Sequence, residues 1–146
     1  AENMKEADFR KWVDGAKVAA DLPITIIPRH VRDVAGIHAA CRMAGTKAPL
    51  SLIVVDYAQL VRAEGKGRYE QMTGVSIGLK GIAGLLGVPV IGLVQLDRQI
   101  GERENKRPQL NDIKESGQFE NDADQVVFAH RESYWLERQG PKANAK

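Results

Sequence analysis

Two apolar runs in this chain end in polar side chains suited to phosphate chemistry. Leu50-Ser51-Leu52-Ile53-Val54-Val55 runs into Asp56, and Pro89-Val90-Ile91-Gly92-Leu93-Val94 runs into Gln95. Short continuous apolar runs suit strands buried on both faces, as in parallel sheets. In open α/β sheets, ligands gather at the carboxyl ends of such strands. Asp56 fits the Walker B pattern, in which the acid holds Mg²⁺, commonly through water, beside a nucleotide's phosphates. A structural Asp that caps the following loop also fits. Gln95 has two readings as well. A neutral amide at a neighbouring strand end bonds a γ-phosphate or the attacking water and responds when the phosphate leaves. The same amide can instead satisfy loose backbone groups at that end.

Two further segments offer anion chemistry. Residues 97–108 carry four bases, Arg98, Arg103, Lys106 and Arg107, against three acids. They suit contacts to a nucleic-acid backbone, and they equally suit a solvated loop. No aromatic residue interleaves them, so base stacking is not expected there. Lys114-Glu115-Ser116-Gly117 follows a short helical turn. Its exposed N–H groups and Ser116 can hold a phosphate oxygen, with Lys114 adding charge. An ordinary helix C-cap at Gly117 is the competing reading. His30, His38 and His130 have no metal-like spacing, and Cys41 sits on an apolar helical stripe as packing. No nucleophile–base arrangement is readable.

The elements that must position these groups alternate along the chain. Phe9, Trp12, Val13, Ala16 and Ala20 mark a first helix, opened by an Asn3/Glu6 capping box and stopped before Pro23. Ile24–Ile27 reads as a strand. Val34, Ile37, Cys41 and Ala44 mark a second helix, ended by Gly45. A long third helix from about Tyr69 to Leu86 carries Met72, Val75, Leu79, Ile82 and Leu86 as its stripe. Gly74, Gly78, Gly81 and Gly84 interrupt it, each at a helix cost of up to about 1 kcal/mol. Close packing explains them. Gln125–Ala129 reads as a last strand, and 140–146 as a disordered tail. This order predicts an α/β fold with a mainly parallel sheet and flanking helices.

Composition fits one soluble domain. The chain has 146 residues, 43% hydrophobic and 27% charged, with 21 Lys/Arg against 19 Asp/Glu. No global basic field exists, so contact with nucleic acid has to be local. One cysteine excludes an intrachain disulfide and points to a reducing, cytoplasmic setting. No apolar run approaches a membrane span. The polar start without Met suggests an excised piece.

The motifs together resemble a known family, the bacterial replicative hexameric helicases of the DnaB type. Leu52-Ile53-Val54-Val55-Asp56-Tyr57-Ala58-Gln59-Leu60 resembles their Walker B segment. Residues 87–98, from Gly87 through Gln95 to Arg98, resemble their next motif. Residues 106–117, ending Lys114-Glu115-Ser116-Gly117, resemble their DNA-loop motif, continued by residues 119–124. The match in order and spacing runs from about Leu50 to Tyr134, and residues 1–49 match loosely. The resemblance implies a RecA-like P-loop NTPase core over 1–146, driven by ATP with Mg²⁺. It implies unwinding of duplex DNA by a homo-hexamer that translocates on single-stranded DNA, with a primase or helicase loader as partner. Asp56 would hold Mg²⁺, and Gln95 would sense the γ-phosphate. Lys114, Glu115 and Gly117 would grip single-stranded DNA, with Ser116 beside them and Arg98, Arg103, Lys106 and Arg107 around the channel.

The departures are specific. No G-x-x-x-x-G-K-[ST] is present. Arg138 and Lys142 do not match the family's Lys-x-Arg element. Lys114 stands where many relatives carry Arg, which keeps the charge and loses the bidentate fork. The expectation is a helicase fragment whose P-loop and N-terminal strands lie upstream, inactive in isolation. The alternative is an ATPase-dead, helicase-like module that binds DNA or a helicase partner. A recombinase-like ATPase fits less well, because recombinases carry a different DNA loop.

Overall fold

A computed structural model describes residues 5–28, 30–113 and 117–139. Its framework is a β-α-β unit. Strand β1 (Ile53–Val55) pairs in parallel with β2 (Val90–Gly92), in the register Ile53↔Val90, Val54↔Ile91, Val55↔Gly92. The long helix α3 (Arg68–Leu86) crosses between them. A parallel pair requires such a crossover.

Helix α3 follows its predicted stripe closely. Met72, Val75, Leu79 and Ile82 are buried, and Leu86 is half-buried. Each buried aliphatic of this size stabilises by about 1.5–3 kcal/mol. Gly87 ends the helix in the left-handed region at φ 62°, and its N–H donates to the Ala83 carbonyl. The glycines divide. A Cβ at Gly78 would lie 2.5 Å from Val34 Cγ1, and one at Gly74 would lie 2.9 Å from Ala63 Cβ. Close packing accounts for these two. Gly81 and Gly84 face open space.

Helix α2 (Val34–Lys47) packs Ile37 and Cys41 into the same core. Asp33 caps it, accepting from the Gly36 N–H at 2.8 Å. The helix runs through Gly45 instead of ending there. Its end is set by Pro49, which disfavours helical backbone at Ala48, found at φ −155° and ψ 145°.

Helix α1 (Glu6–Ala20) forms where predicted but buries no residue, and Phe9 and Trp12 are exposed. Its cap is Lys5, without a side-chain bond, so Glu6 belongs to the first turn and Asn3 lies outside the described residues.

Three strand expectations are corrected. Ile24–Ile27 and Gln125–Ala129 form no strand, because neither finds a ladder partner among the described residues; Ile26 and Val127 are 87% and 89% exposed. The central strands are buried on one face, not both. Ile53 and Val55 point into the core, while Val54 and Ile91 are exposed on the other side.

Two short helices follow the sheet, α4 (Gln118–Asp122) and α5 (Glu132–Gln139). Residues 140–146, read as a tail, lie outside the described residues. No helix among the described residues is long and apolar enough to cross a membrane.

Candidate functional site

The parallel register puts the carboxyl ends of β1 and β2 on one rim; Asp56 follows β1 directly, whereas β2 ends at Gly92 and Gln95 lies three residues past it. Neighbouring strands run about 4.8 Å apart. The ladder closes with the Leu93 N–H donating to the Val55 carbonyl at 3.0 Å. The Ala58 N–H then donates to the Leu93 carbonyl at 2.8 Å. Asp56 follows β1 directly, is exposed, and joins Tyr57 through a cis peptide. Its carboxylate makes no bond to another described residue. That leaves hard oxygen ligands open at the rim, the donor type Mg²⁺ takes.

Gln95 is exposed, but its backbone is tied down. Gln59, in the 3₁₀ turn Ala58–Leu60, donates from Nε2 to the Gln95 carbonyl at 3.0 Å. Its Oε1 accepts from the Gln95 N–H at 3.1 Å. The Gln59 carbonyl in turn accepts from Arg68 Nη2 at 2.8 Å, at the start of α3. Nothing in the sequence around Gln59 marks it for this role. A lone Gln carries no pattern.

The next residue opens the basic loop. Leu96 forms an antiparallel bridge with Ile113, and the Asp97 N–H donates to the Asp112 carbonyl at 2.9 Å. Residues 97–112 therefore leave and return at one point, beside Gln95. Within the loop the four bases separate. Arg103 Nη2 pairs with Asp112 Oδ2 at 2.7 Å, and Asp112 is buried. The same oxygen accepts from the Gln109 N–H at 2.7 Å. Lys106 Nζ donates to the Arg103 carbonyl at 2.8 Å and lies 5.9 Å from the Trp135 ring centroid. Arg98 and Arg107 are exposed, and their guanidinium groups bond no other described residue.

The returning strand of this loop runs into Lys114, Glu115 and Ser116, which lie outside the described residues. Gly117 is exposed and stands at the N-terminal cap of α4, not at the C-cap expected of it. Beyond it, α4 is fastened to α3. Asp122 accepts from Ser76 Oγ at 2.8 Å and from Gln118 Nε2 at 2.8 Å. Lys80 Nζ meets Asp124 Oδ1 at 2.6 Å. That hydrogen bond, and the lysine's charge, hold the Asp124 carboxyl below the usual carboxylate range. Burial pushes the Cys41 thiol up, as expected for packing rather than reactivity. No group of His, Cys, Asp and Glu among the described residues can hold a metal by itself.

Comparison with known proteins places this geometry. The family model described as the DnaB-like helicase C terminal domain matches residues 1–146. A replicative DNA helicase DnaB from Rickettsia bellii is 37% identical over 143 residues, covering 97% of this chain and 29% of that protein. A replicative DNA helicase DnaC from Bacillus subtilis is 42% identical over 136 residues, covering 91% of this chain and 30% of that protein. The chain thus spans under a third of the length of these relatives. Among solved structures, a DnaB-like replicative helicase, solved for its interactions with primase, superposes with a TM-score of 0.85 at 32% identity, over 93% of this chain and 33% of that one. A separately solved ATPase domain gives 0.85 at 33% identity, over 93% and 49%. The β-α-β unit and its rim are the RecA-like arrangement of such ATPase domains.

Proposed function

Because this chain belongs to the DnaB-like helicase C-terminal domain family, we propose that it is motor-domain sequence of an ATP-dependent replicative DNA helicase. In this reading the natural protein forms a homo-hexameric ring and unwinds duplex DNA by translocating on single-stranded DNA. A primase or a helicase loader docks on that ring. The observation that carries the reading is the shared rim: Asp56 directly follows β1, Gln95 lies three residues beyond the adjacent parallel β2, and the basic loop opens one residue beyond Gln95.

Each residue then has a role. Asp56 holds Mg²⁺ of the bound ATP, through water, and the metal would neutralise charge on the phosphates. Gln95 offers a neutral donor to the γ-phosphate. Arg98 and Arg107 contact the DNA backbone, since their charges are not spent inside the loop. Arg103 and Lys106 act from behind, by shaping the loop. Lys114, Glu115, Ser116 and Gly117 continue from that loop as the strand-gripping segment. An ion-paired or backbone role for Glu115 fits best there, because a carboxylate repels phosphate.

The test is ATP hydrolysis and strand displacement by the natural full-length protein, with and without single-stranded DNA. Turnover is expected to need Mg²⁺ and to rise with DNA. Asp56→Ala is expected to cut turnover about 100-fold at an unchanged melting temperature, because Asp56 is exposed and bonds no other described residue. No ATP turnover by the wild type, with DNA binding retained, would favour the ATPase-dead module instead.

A further inference from the structure

Resting on that reading of Gln95, we infer that Gln59 is a positioning residue that aims the Gln95 side chain by standing in for a missing strand residue. The need arises from where the sheet ends. Backbone pairing between the two segments runs through the Val55–Leu93 bond to the Ala58 N–H, which donates to the Leu93 carbonyl, and the first segment then turns away in the 3₁₀ turn Ala58–Leu60. The Gln95 peptide groups, two residues further, have lost their ladder neighbour. Unpaired backbone groups of this kind are normally satisfied.

A glutamine side chain has the donor and acceptor of a peptide group. Gln59 uses both, at 3.0 Å and 3.1 Å, on the carbonyl and N–H that flank the Gln95 Cα. Fixing both neighbouring groups fixes the direction of the Cα–Cβ bond, and so where the Gln95 amide can reach. The clamp is itself braced, because Arg68 Nη2 donates to the Gln59 carbonyl. Gln59 lies three residues after Asp56. One short segment therefore supplies the proposed metal ligand and the support of the proposed phosphate sensor. The next residue, Leu96, is bridged to Ile113 at the neck of the basic loop. Gln59 thus also sets the register at which that loop leaves the sheet.

The experiment compares Gln59→Ala, Gln59→Glu and Gln95→Ala in the natural full-length protein. Three quantities are read: ATP turnover as kcat and KM, melting temperature, and amide hydrogen exchange at residue 95. Gln59→Ala is expected to lower kcat about tenfold, to leave KM within about twofold, and to speed exchange of the Gln95 N–H. Gln59→Glu keeps the acceptor and loses the donor, so it should protect that N–H and fall between Ala and wild type in kcat. A merely structural role would lower the melting temperature without separating kcat from KM or ordering the two variants. Wild-type kcat in Gln59→Ala, beside a crippled Gln95→Ala, overturns the positioning role alone. Wild-type kcat in Gln95→Ala overturns the sensor assignment and this inference with it. Should Gln59→Ala fail to fold, Gln59→Glu decides: a several-fold loss of kcat supports the clamp, and an unchanged kcat overturns it.

Discussion

Asp56 and Gln95 are both exposed but held differently. The Asp56 carboxylate bonds nothing among the described residues, whereas Gln95 is gripped through its peptide. The two polar residues were legible in the sequence because each interrupts an apolar run. Gln59 was not, because its work depends on a contact 36 positions away. The basic loop shows the same limit. Four bases look alike in sequence, and only the fold divides Arg103, paired with the buried Asp112, from Arg107, which is open. Arg103→Ala removes the charge partner of the buried Asp112, leaving it the Gln109 N–H alone, and should destabilise the protein by about 1–3 kcal/mol. Arg107→Ala should change stability by less than about 0.5 kcal/mol and lower the salt slope of single-strand binding by about 1. Urea melts and salt titrations of DNA affinity check both. The reverse pattern would exchange their roles.

At the level of elements, periodicity located helices well and strands poorly. The stripe of α3 is buried as read, since a 3.6-residue repeat is set by the helix itself. A strand needs a partner, so Ile24–Ile27 and Gln125–Ala129 had the composition without the ladder. Helix ends were misjudged where a later residue decided them, as Pro49 does for α2. The glycines of α3 looked equivalent in sequence, yet only Gly74 and Gly78 sit against a neighbour. At Gly78 both γ-methyls of Val34 would lie within 2.8 Å of an added Cβ, so no rotamer of Val34 clears it. Gly78→Ala should therefore destabilise by about 1–3 kcal/mol through overpacking. Gly84→Ala, in open space within the same helix, should be neutral or stabilising by up to about 1 kcal/mol. Thermal unfolding of the two variants checks this, and equal shifts would contradict the α2–α3 contact.

Across the whole molecule, one β-α-β unit organises the rest. Its core lies between α2, α3 and one face of the sheet, and its rim carries the chemistry. The loop neck at Leu96 and Ile113, the α4 contact to Ser76 and the Asp124 contact to Lys80 bind the basic segment to that same unit. A change at Gln95 can thus reach the loop through contiguous contacts. The account depends on Asp56 and Gln95 serving one nucleotide. A double-mutant cycle in ATP turnover tests this most directly, using Asp56→Ala, Gln95→Ala and the pair in the natural full-length protein. Groups that act as a unit are strongly non-additive, so the double variant should be no slower than Asp56→Ala within about twofold. Losses that multiply, or a Gln95→Ala protein with wild-type turnover, would show that the two strand ends do not share a site.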